Sequence, residues 1–147
     1  MNFEPFDTGL VIARLSDKAL CPDLRLVGGA ADYATVKDLR SFATPSAYVI
    51  FAGEVGGQNG PRGASVQPAS VTFGVAMAVR NYRPDPGSQL GPELRKVIGQ
   101  VRSALIGWLP PTLGATHLMW TAGELMDYDD STALFVDAYQ LNHVLKK

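Results

Sequence analysis

The chain has 147 residues, 46% of them hydrophobic, and a formal net charge of −1. That length suits one domain with a substantial core, and the apolar share excludes wholesale disorder. The near-neutral balance excludes holding nucleic acid by bulk electrostatics, and a single cysteine, Cys21, excludes an intrachain disulfide and a thiolate metal cluster.

The opening residues Met1–Asp7 lack the basic start and apolar run of a secretion signal. No stretch approaches the roughly 20 apolar residues of a membrane helix. Folding in the cytoplasm, with no membrane partner, is therefore expected. Asp7 or Thr8 suits the cap of a first helix whose buried side runs through Leu10, Val11, Ile12 and Leu15, ending before Cys21-Pro22. Leu24–Val27 reads as a short strand or an extended link, broken by Gly28-Gly29. Ala30–Leu39 reads as a short helix with weakly distinguished faces, and Ala47–Ala52 as an apolar strand.

Residues 53–65 are rich in glycine and lie between two strand-like segments, which predicts a mobile hairpin tip within the domain. The next strand is the clearest in the chain. Val71, Phe73, Val75, Met77 and Val79 alternate with small residues from Ser70 to Ala78. The two prolines and the glycine of Arg83–Ser88 mark a turn. A helix follows with a stripe of Leu94, Val97, Ile98, Val101, Ala104, Leu105 and Trp108, opened by Pro92 and closed by Gly107 and Pro110-Pro111. Strand face and helix stripe should cover each other.

Ala115–Met126 then reads as a strand with Thr116, Leu118, Trp120 and Ala122 on one face, and Asp127–Ser131 as a turn. Ala133–Leu145 is the last strand. Phe135, Asp137, Tyr139 and Leu141 share one of its faces, while Val136 and Ala138 point the other way. Apolar groups on both faces fit a strand buried on both sides or lying against a neighbouring subunit. The order α-α-β-β-α-β-β predicts a single α+β domain: a largely antiparallel or mixed sheet of about four main strands with helices packed on one side.

Catalytic and ligand constellations do not form. The glycine-rich segment lacks a lysine-bearing phosphate loop and is followed by a strand rather than a helix. Asp127, Asp129 and Asp130 lack the further ligands, glycine and terminal glutamate of a calcium loop. His117 and His143 fall on predicted strands outside any spaced ligand pair, and no GxSxG surrounds Ser16, Ser41 or Ser131. Cys21 before Pro22 reads as packing. Neither an enzyme nor a cofactor is expected. Arg80, Arg83, Arg95, Lys96 and Arg102 form either a solvated face or a positive patch toward an acidic partner or DNA.

Several local phrases resemble the tail terminator (tail completion) proteins of long-tailed bacteriophages. These are Ala30-Ala31-Asp32-Tyr33-Ala34, Thr44-Pro45-Ser46-Ala47-Tyr48-Val49-Ile50 and Leu105-Ile106-Gly107-Trp108-Leu109-Pro110, with the strand pair Leu118–Leu125 and Ala133–Tyr139. The resemblance implies a structural protein forming a homo-oligomeric ring, commonly of about six subunits. Such a ring caps the tail tube protein, stops polymerisation and presents the surface that joins the head connector, with DNA only passing through the lumen. It would belong to the neck of the virion tail. Within that reading Val55, Gly56, Gly57, Gln58, Asn59 and Arg62 are the candidate tube contacts. Phe135, Asp137, Tyr139 and Leu141 are the candidate subunit interface. The competing readings are another head–tail neck component, or a small cytoplasmic ligand-binding α+β oligomer with a pocket at His117 or His143.

Overall fold

The computed structural model describes residues 3–57, 65–80 and 90–146. In chain order the elements are α1 (Gly9–Leu15), β1 (Leu26–Gly29), α2 (Ala30–Ala34), a 3-10 turn (Leu39–Ser41), β2 (Ser46–Gly56), β3 (Val66–Arg80), α3 (Pro92–Leu105), β4 (Met119–Tyr128) and β5 (Thr132–Lys146). The five strands form one sheet in the order β1-β2-β3-β5-β4, with β1 parallel to β2 and every other pair antiparallel. This is the α+β class that the pattern predicts, with Leu26–Gly29 supplying a fifth, short strand.

The strand–helix unit carries the core. Val71, Phe73, Val75, Met77 and Val79 of β3 are buried in one cluster with Leu94, Val97, Ile98, Val101, Ala104 and Leu105 of α3. α1 adds Val11 and Leu15 to the same cluster. Pro92 opens α3, where its missing N–H costs nothing, and Glu93 complements the helix dipole in the first turn. Gly107 turns the chain out of the helix at φ 80°, a conformation that glycine adopts without penalty.

The helices do not all lie on one side. α1 and α3 share the larger cluster, whereas Tyr33 of α2, with Leu39 and Phe42, packs on Tyr48, Ala76, Ala78 and Leu134. Those residues alternate with the α3-facing ones, so they occupy the opposite face. The rings of Tyr33, Phe42 and Tyr48 meet with centroids 5.6, 5.7 and 5.8 Å apart. On the small-residue face of β3, a helical segment of the same subunit covers Ala76 and Ala78. Thr72 of that face remains exposed.

Boundaries shift for local reasons. α1 ends at Leu15 because Ser16 bonds back to Ile12 and the Asp17 carbonyl accepts from Leu20 and Cys21. The second helix stops at Ala34, where the Thr35 hydroxyl donates to Asp32, and Asp38 then caps the 3-10 turn. β2 continues through Gly53–Gly56, so the expected loop begins at Gly57. Trp120 and Ala122 fall on opposite faces, because a bulge at Thr121 breaks the alternation of β4. The turn at Arg83–Ser88 lies outside the described residues.

Candidate assembly surfaces

Phe135, Asp137, Tyr139 and Leu141 share one face of β5, as the alternation requires, but that face points into the subunit. All four are buried within the single chain. A group already covered by its own subunit does not touch a neighbour, so these residues hold the sheet that an interface is built on.

Asp137 shows how. It is fully buried and receives four donors: Arg102 Nε at 2.9 Å and Nη2 at 2.8 Å, Trp120 Nε1 at 3.0 Å and the Tyr139 hydroxyl at 3.1 Å. A buried carboxylate is tolerable only when paired and fully hydrogen-bonded, and a bidentate arginine is the strongest partner. The hydrogen bond to Asp137 holds Arg102 firmly protonated. Burial, then the charge of Asp137, pushes the Tyr139 hydroxyl above its ordinary range, so it stays a donor. The Arg102 guanidinium lies 4.6 Å from the Trp120 ring centroid and 5.7 Å from that of Phe135. Arg102 therefore belongs to this buried network, not to an open positive face.

The network fixes Trp120 on the outermost strand. β4 is the edge of the sheet, and Met119, Trp120 and Met126 are exposed along it. Among the described residues, six of the ten exposed large apolar side chains fall between Ile106 and Met126. Met119, Trp120 and Met126 among them lie on the edge strand itself, where exposed apolar side chains suit an interaction site. Composition alone misses Trp120 and Arg102. The available signal was Asp137 itself, an acid in an inward-facing register that demands a partner.

Among the other candidates, Val55 is 70% exposed, and Gly56 and Gly57 are exposed where β2 leaves the sheet. Gln58, Asn59 and Arg62 lie outside the described residues. His143 is buried on β5, paired with Glu54 and edge-on to Phe6, and lines an open groove of about 570 Å³ beside the N-terminal segment. His117 lies in the connection before β4, exposed, rather than on a strand. Cys21 is buried, and burial raises its thiol pKa, so it packs rather than reacts.

The acidic turn is turn chemistry. Asp129 accepts from the Ser131 and Thr132 amides at 2.8 and 2.7 Å, and Arg40 bridges Asp129 and Asp130. Lys96 pairs with Asp23 at 3.3 Å. Arg95 is exposed. Arg83 is not among the described residues.

The fold is an α+β sheet flanked by helices, with exposed apolar side chains along one edge strand. The model of the phage tail terminator protein family matches residues 1–147, and the chain belongs to that family. Its members are structural virion proteins, not enzymes, and the chain is accordingly a virion tail component. Among solved structures it is similar to a chain of the virion of a native gene transfer agent (GTA) particle. The TM-score is 0.56 at 12% identity, covering 93% of this chain and 92% of that one. At that identity the likeness is one of fold. No curated protein matches the sequence.

Proposed function

We propose that this chain closes into a ring of about six copies that caps the tail tube, arrests its growth and presents the surface on which the head connector joins. DNA passes through the central opening, and the ring sits in the neck of the virion. The observation that carries the reading is the family match over the full length, joined to a ten-residue edge strand exposing Met119, Trp120 and Met126. An edge strand of that kind offers backbone and side chains to a second chain. The same match favours a terminator over another neck component or a ligand-binding oligomer.

The tube contact is assigned to the tip of the β2–β3 hairpin: Val55, Gly56 and Gly57 with Gln58, Asn59 and Arg62. A glycine-rich connection lets backbone approach a partner surface closely. Replacing residues 58–64 with a short Gly-Ser link should leave a folded subunit that no longer caps tubes. Normal capping by that variant would remove the loop from the contact. The test of the whole reading is electron microscopy of the protein mixed with its tail tube protein. Rings at tube ends with growth arrested are expected, and a chain that ignores tubes would overturn the assignment.

A further inference from the structure

The sheet has two outer edges, and neither is fully covered by a strand among the described residues. β4 forms one. On the other side β1 pairs only with Ser46–Val49, so Ile50–Gly56 of β2 has no strand beside it among the described residues. β1 itself is partly closed, because the Gly29 N–H donates to the Asp32 carboxylate at 2.9 Å. Phe51 and Val55 are exposed on the open part of β2.

The cross-strand register links these two edges. Phe51 sits opposite Phe73, Phe73 opposite Tyr139, and Tyr139 opposite Trp120. The inner pair is fully buried and stacked at 5.5 Å, while Phe51 and Trp120 are 41% and 42% exposed. The aromatic row is complete inside the subunit and unfinished at both ends, at one level and on one face. A second row runs Asp127, Leu134, Ala78, Ser46, Leu26. It ends in an acid on β4 and, at β1, beside the exposed Arg25. Strand directions agree as well. β2 and β4 run oppositely in the sheet, so a copy displaced sideways would bring its β2 antiparallel to β4.

We propose that the Trp120 end of β4 in one copy docks on the open edge of β2 in the next, head to tail, with Trp120 packing on the partner subunit's Phe51 and the rest of β4 running outside β1. This rests on the ring reading above and assigns its subunit contact. Two different edges make a heterologous contact, which closes when the rotation permits. β4 pairing with itself would be two-fold and would leave Phe51 and Val55 uncovered. Trp120 enters the contact already oriented by Asp137 and Arg102, so little freedom is lost on docking.

The test places cysteines at the exposed residues nearest the junction, Thr121→Cys on β4 and Ala52→Cys on β2, in the full-length chain with a short bis-maleimide. Cys21 is buried and stays silent. A ladder of covalent multimers from the double variant, absent from either single variant, is the expected result. Covalent dimers from Thr121→Cys alone would overturn the proposal in favour of a two-fold pairing. Multimers by light scattering without a ladder would overturn this contact and leave the ring reading standing. A chain that stays monomeric in solution and on tube ends would overturn both. Independently, Phe51→Asp changes an exposed residue and should retain the native circular dichroism while weakening self-association by about tenfold or more. Unchanged self-association in that variant would also overturn the proposal.

Discussion

Asp137 is the costliest residue in the chain to bury, and its four donors come from α3, β4 and β5. Removing Arg102 leaves that carboxylate without its cation. Arg102→Ala is expected to lower stability by about 2–4 kcal/mol, below the largest losses for broken buried pairs because the guanidinium is a third exposed. Urea unfolding, with Trp120 fluorescence as the local probe, measures it. At the turn, the Ser131 and Thr132 amides hold the Asp129 carboxyl at a pKa of about 2, against an ordinary 3.8. A lowered folded-state pKa contributes stability that is present above 3.8 and lost as pH falls toward 2. Asp129→Asn should therefore lower the unfolding midpoint at pH 7 and flatten its decline between pH 4 and pH 2, as followed by denaturation across that range. The sequence marked Asp129 as turn chemistry because Asp before Ser is a local signal. Arg102 was legible only as a polar helix position, since its partner lies 35 residues away.

At the scale of elements, β3 and α3 were readable because each carries its own period, and the two periods select each other's cover. Phe73 of β3 is stacked on both Phe6 and Tyr139. Phe73→Ala is expected to cost about 3–5 kcal/mol, the range for deleting a fully buried aromatic ring, measured by chemical denaturation. β4 was less legible. Its bulges at Thr121 and Met126 shift the register, and nearly every residue is exposed, so the alternation carries little signal. Gly123 is the sharpest constraint there. A Cβ would lie 2.7 Å from Arg102 Nη2, 2.8 Å from Asp137 Oδ1 and 3.0 Å from Phe135 Cζ. Gly123→Ala should displace the arginine fork and cost about 1–3 kcal/mol, with a matching change in Trp120 emission. The short α2 was misjudged in length and side because its apolar contacts, Tyr33 with Phe42 and Tyr48, are made across the chain rather than along it.

For the whole molecule, the alternation of β5 was right while its meaning was not. Phe135, Asp137, Tyr139 and Leu141 share a face, and a period of two cannot say whether the subunit's own helix or a neighbour covers it. What remains for a partner is the periphery of the sheet. Both edges carry an irregularity beside the aromatic row, on opposite sides of it: β2 is bulged at Ala52 and β4 at Thr121. A straight foreign strand laid along either edge falls out of step within a few residues. The bulges thus make each edge a poor template for regular, unlimited strand addition. Deleting Thr121 would regularise β4, and the expected outcome is thioflavin-positive aggregation under conditions where the natural chain stays dispersed.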